Sequence, residues 1–218
     1  MQKEYYLNKL YPFQDEIFEI IDNLKVSFYL TGGTALSRFY FNHRYSDDLD
    51  FFVNNSKTFE KDAEQVINTI KEKANLVILR KTSDFIRIEA KKNDTTLKID
   101  FINDIEFKSG ETVPFDKFSK VDNLHNILTN KLTALGRLEP KDVADLLFLW
   151  KKNKIDWGKA FEDAYKKEAF IDPLDVSVIL EEFPKEYLER INWVNEIDID
   201  EAIKDIKKIA KEILLKSG

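Results

Sequence analysis

Residues 29–53 read YLTGGTALSRFYFNHRYSDDLDFFV, and the order of residue types in this stretch decides the fold. The run VSFYL at 26–30 is β-branched and aromatic, which predicts a strand, and Thr31-Gly32-Gly33 stops it. TALSRFYFN at 34–42 predicts a helix starting directly after the glycines, and DLDFFV at 48–53 predicts a second strand. Alternate residues of a strand share a face. Asp48 and Asp50 therefore stand side by side with Phe52, while Leu49, Phe51 and Val53 turn into a core. Adjacent carboxylates repel unless a cation lies between them. Asp is disfavoured in strands, so a solvated acidic edge explains this pattern less well than a cation site does. Mg²⁺ shared between carboxylates and substrate phosphates is one such cation. A double glycine between strand and helix lets backbone N–H groups approach an anion. Taken alone, Gly32-Gly33 is an ordinary tight turn.

Outward from this stretch, Phe13, Ile17, Ile20, Ile21 and Leu24 have helical spacing in 13–24, as do Phe59, Ala63, Val66, Ile67 and Ile70 in 57–74. Strands are predicted at 76–81, 84–91 and 96–103, with a turn at Asn93-Asp94. In LKIDFI, Leu97, Ile99 and Phe101 face one way, and Lys98, Asp100 and Ile102 the other. If this strand lies beside 48–53, Asp100 joins the acidic pair. Three carboxylates hold one or two metal ions, spaced about 3.5–4 Å in two-metal sites. Glu89 is the competing third acid; it shares its face with Arg87 and Lys91, which suits a salt bridge. Residues 104–120 look irregular and polar. Helices are predicted at 122–138, 140–153, 157–168, 174–182 and 199–216, punctuated by Pro140, Pro173 and Pro184, with no strand-like alternation. The expected fold is α+β: a mixed sheet flanked by helices over residues 1–120, then an all-helical bundle over 121–218.

Composition narrows the function classes. The chain has 218 residues, 43% of them hydrophobic, enough for a packed core. The absence of cysteine excludes disulfides, thiolate metal sites and cysteine nucleophiles, and suits a reducing cytoplasm. No apolar run approaches a membrane span and the N-terminus lacks the pattern of a signal peptide. The net charge of -6 provides no global basic field for nucleic acid, leaving room only for a local groove. The lysines of 199–216 alternate with acids and suit a solvated helix face.

Gly32-Gly33, a helix, then Arg44, Ser46, Asp48 and Asp50 at every second position resembles motif I of the nucleotidyltransferases related to DNA polymerase beta. GGTAL followed by RYSDDLDFF resembles the AbiEii/AbiGii toxin family, relatives of the MenT toxins. KLTALGR at 131–137 and KDVADL at 141–146 resemble that family's downstream lysine and aspartate motifs, so the likeness covers about residues 26–150. The helical tail is shorter than the family's. The resemblance implies a nucleotidyltransferase-type sheet and a set of roles. Gly32, Gly33, Thr34 and the loop around Ser46 hold nucleotide phosphates. Asp48 and Asp50 bind Mg²⁺, and Asp100 is the third acid, as metal ligand or base. Lys131 reaches the triphosphate, and Arg44 and Arg137 are phosphate contacts. Asp142 and Asp145 bind ribose or base, or else pair with Lys141 and Arg137. His43 and His125 are structural or surface residues, and Trp150, Trp157 and Trp193 belong to the core. The implied activity is transfer of a nucleoside monophosphate from an NTP to an acceptor hydroxyl: a tRNA 3′ end, a protein or a small molecule such as an aminoglycoside. An antitoxin is the implied partner. The other hypothesis is a nucleotide-binding interaction protein with little turnover.

Overall fold

The computed structural model describes residues 2–168 and 170–216. The chain divides into two compact units, one of residues 1–39 and 45–122, the other of residues 40–44 and 123–218. The short segment 40–44 is thus set with the helical half, which no local sequence pattern announces.

In the first unit, α1 (Gln2–Tyr5) runs through a π-helical turn into α2 (Tyr11–Leu24), which ends where Lys25 takes a left-handed conformation. β1 (Tyr29–Thr31) leads into α3 (Gly32–Ala35), continued by π-helical turns over Leu36–Phe41. β2 (Leu49–Asn54), α4 (Phe59–Lys71), β3 (Asn75–Lys81), β4 (Phe85–Lys92) and β5 (Thr95–Asp104) follow. The stretch 104–120, expected to be irregular, contributes β6 (Val113–Phe115) and leads into β7 (Phe118–Val121). These strands are three and four residues long and β6 holds Pro114, so neither carries a readable alternation. Their place comes from pairing: Val121 of β7 lies opposite Leu30 of parallel β1.

The seven strands form one mixed sheet in the order β3-β4-β5-β2-β1-β7-β6. β2 sits in the middle, antiparallel to β1 and parallel to β5. Leu49, Phe51 and Val53 of β2 are buried while Asp50, Phe52 and Asn54 are half-buried, as strand alternation requires. Below the sheet Phe51 stacks on Phe101 at 5.9 Å and meets Phe18 edge-on, and Phe28 packs on Phe101 and Phe59. This aromatic layer sets the register of the central strands, because a slip of one residue would bring the acids into it.

The second unit is helical: α5 (Leu124–Ala134), a 3₁₀ turn over Leu135–Arg137, α6 (Pro140–Lys152), α7 (Trp157–Tyr165), α8 (Pro173–Glu181), α9 (Lys185–Glu189) and α10 (Ile199–Lys216). α9 is too short to show periodicity in sequence. The described residues of this unit hold no strand, only an isolated bridge between Arg44 and Trp193. Trp157 is in the core, whereas Trp150 and Trp193 are half-buried. Among the described residues no helix is long and apolar enough to cross a membrane.

Phe51→Ala should destabilise the protein by about 3–5 kcal/mol, because it empties a fully buried ring site on the central strand. Urea unfolding with an unchanged m-value checks this; a loss below about 1 kcal/mol would contradict the packing described.

Candidate active site

One transverse row of residues crosses β1, β2, β5 and β4: Thr31 lies opposite Asp50, Asp50 opposite Asp100, and Asp100 opposite Arg87. Paired positions of neighbouring strands share a face. The pairing that local sequence left open therefore puts Asp100 beside Asp50 on the polar side of the sheet. Asp48 immediately precedes β2, and its Oδ2 lies 2.6 Å from Nζ of Lys98. Lys98 is in turn opposite Glu89, which is exposed. Glu89 thus stands beyond Lys98, outside the row of Asp50 and Asp100.

Gly32 follows Thr31 with φ of +70°, a conformation that strains any residue with a side chain. A Cβ there would come within 3.1 Å of Oδ2 of Asp50. The conformation requires glycine here, and a Cβ would press on the Asp50 carboxylate, which would have to give by a few tenths of an ångström. Gly33 is buried in the first turn of α3.

Asp100 is 5% exposed and accepts both arms of the Arg87 guanidinium, Nε to Oδ1 at 2.8 Å and Nη2 to Oδ2 at 2.7 Å. The hydrogen bond to Asp100 is the main cause of a raised Arg87 pKa, and the charges of Asp100, Asp48 and Asp50 add to it. All three acids thus act on one guanidinium. As the side chains stand, no three acidic or imidazole groups among the described residues form a metal cage. Two of the acids are turned toward Lys98 and Arg87 instead. The donor set still fits Mg²⁺: it is all carboxylate oxygen on one face, with space beside Asp50 where Gly32 has no Cβ.

Thr34 and Ser46, expected at phosphates, are buried and tie the loop to α3. The Thr34 hydroxyl bonds the Asp48 carbonyl oxygen and lies 2.8 Å from the Ser46 hydroxyl. Gln14 donates to the carbonyls of Ser46 and Asp47 at 3.2 and 3.1 Å. These contacts fix Asp48 at the mouth of β2. Asp122, which the sequence did not single out, is fully buried and accepts from the Thr31 hydroxyl at 2.7 Å. It pins the end of β1 next to Gly32.

In the second unit, Arg44 is buried and forks onto Asp145, Nε to Oδ1 at 2.7 Å and Nη2 to Oδ2 at 2.8 Å. Lys131 lies 2.6 Å from both Asp142 and Asp145, and His43 Nε2 lies 2.8 Å from Asp145. Burial pushes the Asp145 carboxyl up, but Arg44, Lys131 and the His43 hydrogen bond together hold it well below the usual range. Burial pushes Lys131 down, and the charges of Asp145 and Asp142 more than reverse this. Burial lowers the His43 pKa, so the neutral ring donates from Nε2 and packs on Phe148, while its buried Nδ1 has no hydrogen-bond partner among the described residues. Arg44 and Asp145 are therefore not exposed ligand groups, and Lys131 is not a solvated lysine. Asp142 pairs with Lys131 and, at 3.2 Å, with Arg137, whose side chain is 68% exposed. His125 bonds Asp163 at 2.9 Å.

The model of a protein family described as nucleotidyl transferase AbiEii toxin, type IV toxin–antitoxin system, matches residues 18–216. The chain belongs to this AbiEii family. It is a nucleotidyltransferase. Two solved structures from Helicobacter pylori share the fold. JHP933 is 21% identical with a TM-score of 0.67, covering 100% of this chain and 94% of that one. A second, named for a nucleotidyltransferase, has the same identity and TM-score and covers 100% of this chain and 97% of its own. No curated protein matches the sequence.

Within this AbiEii member, Asp145→Asn should cost about 3–5 kcal/mol, because Arg44 and Lys131 would remain buried without their shared counter-charge. The Asp145 pKa is depressed in the fold, so its contribution is complete above the ordinary value of 3.8 and is lost only as pH falls below it. The gap between parent and variant melting temperatures should thus stay constant from pH 7 to 4. A gap that closes near pH 6, or a variant as stable as the parent, would contradict this brace.

Proposed function

We propose that this AbiEii member transfers a nucleoside monophosphate from an NTP to an acceptor hydroxyl and releases pyrophosphate, with Mg²⁺ held by Asp50, Asp100 and Asp48. The single observation that supports this most is the pairing of Asp50 with Asp100 across parallel β2 and β5, beside the gap at Gly32. Asp48, Asp50 and Asp100 would hold Mg²⁺, which would supply positive charge against the phosphates during transfer. Asp100 is held by two N–H donors and accepts the proton of the attacking hydroxyl, or shares the ion with Asp50. The hydroxyl oxygen then bonds to the α-phosphorus as the bond from that phosphorus to the pyrophosphate oxygen breaks. Gly32 and Gly33 leave backbone access for the phosphates. Thr34 and Ser46 act by holding Asp48 in place. Arg44, Lys131, Asp142 and Asp145 brace the second unit, and Arg137 is the exposed cation of that group.

The acceptor we infer from membership of a toxin family is the 3′ end of an RNA, a tRNA first among them. We infer further that the enzyme works in the cytoplasm under control of a cognate antitoxin, in keeping with membership of a toxin family. Incubation with each α-labelled NTP and total RNA or total protein tests this. Label should enter RNA with equimolar pyrophosphate. Label in protein, or in an added aminoglycoside, would replace the acceptor but keep the reaction.

Asp50→Asn separates a catalytic from a structural carboxylate. Transfer should fall by at least about 10³-fold, since the amide cannot hold Mg²⁺ against the triphosphate. The melting temperature in EDTA should hold or rise, because repulsion among the acids is relieved. A variant that melts well below the parent yet still transfers label would overturn the assignment.

A further inference from the structure

Two basic side chains stand among the acids of the row, and nucleotidyl transfer as described above assigns neither a task. Arg87 reaches Asp100 from β4, on the opposite side of β5 from β2 and Asp50. Its two bonds use one lone pair on each Asp100 oxygen, and each oxygen has a second. The fork can therefore persist while Asp100 shares an ion with Asp50. Asp100 is buried and the bond is bidentate, so the carboxylate plane is fixed. Hydrogen-bonded partners behind a metal ligand set its orientation in this way.

Lys98 differs on each count. It makes one contact to Asp48, on a flexible stem, and the two side chains are 35% and 38% exposed. Exposed single-contact pairs of this kind are weak. Lys98 also has somewhere else to go, because Glu89 lies directly opposite it on β4 and is exposed.

We propose that Arg87 is a positioning residue that fixes Asp100 for the metal, and that Lys98 is a resident counter-ion that releases Asp48 to the metal and swings to Glu89. The proposal rests on the metal-dependent transfer inferred above. Arg87 does not touch substrate, so its effect is read on the metal.

The test is thermal melting of EDTA-stripped protein titrated with MgCl₂ in the absence of nucleotide. Lys98→Met should lower the Mg²⁺ concentration for half-maximal stabilisation by about three- to tenfold, since a competing positive charge is gone. Arg87→Met should raise it by about tenfold or more, although it too removes a positive charge. Arg87→Lys keeps the charge and loses the fork, and should resemble Arg87→Met; it also carries this arm if Arg87→Met fails to fold. Midpoints that fall in both Lys98→Met and Arg87→Met, an Arg87→Lys variant equal to the parent, or an unchanged midpoint in Lys98→Met would overturn the proposal while leaving metal-dependent transfer standing. A parent protein that does not respond to Mg²⁺ would overturn the metal site itself and this proposal with it.

Discussion

Two like charges, Asp50 and Asp100, are forced together by the pairing of two parallel strands, and the rest of the first unit is arranged around that constraint. Unit charges a few ångströms apart at a protein surface repel by a few kcal/mol. The fold accepts this because the opposite face of the same strands buries Leu49, Phe51, Ile99 and Phe101, and each large side chain so buried contributes about 1.5–3 kcal/mol. Slipping the register to part the acids would expose that layer. The repulsion is instead met locally, by Arg87 on Asp100 and Lys98 on Asp48. Gly32 leaves room where a side chain would close the space against Asp50.

The second unit handles a buried carboxylate differently. Asp145 is fully buried and is closed in by Arg44, Lys131 and His43. Removing the carboxylate from such a group would leave Arg44 buried without its counter-charge. At the acidic site Asp48 and Asp50 are half-buried; Asp100 is buried, but its partner Arg87 is 40% exposed and Lys98, the partner of Asp48, 35%. A half-exposed carboxylate balanced by one exposed lysine, as Asp48 is by Lys98, can exchange that cation for another; a carboxylate closed in like Asp145 braces helices. The contrast separates residues that share one sequence motif. Asp142 and Asp145 are three positions apart on α6, yet only Asp142 meets an exposed cation, Arg137.

Much of this was legible in sequence where the information is local. The alternation of LDFFV and LKIDFI gave the correct faces to Asp50 and Asp100, and the glycines marked the turn that needs a positive φ. The long amphipathic helices were likewise visible. What escaped depends on partners distant in the chain. β6 and β7 are too short for a periodic signal and exist through pairing. Arg87 looked like a partner for Glu89 because both lie on one strand face, but the register gave it to Asp100. The buried cluster of His43, Arg44, Lys131 and Asp145 joins residues about a hundred positions apart, and polar residues in a sequence carry no sign of burial. Thr34 and Ser46 were assigned to phosphate by motif, whereas their hydroxyls are committed to the loop that carries Asp48.

The central claim is that Asp50 and Asp100 share a divalent cation. A crystal of the protein with Mn²⁺ and a non-hydrolysable NTP analogue, examined by anomalous scattering, tests it most directly. A peak is expected about 2.0–2.3 Å from oxygens of both carboxylates, with Arg87 still forked on Asp100 and the triphosphate completing the coordination. A peak coordinated by Glu89, or no peak beside Asp50 with nucleotide bound, would contradict it.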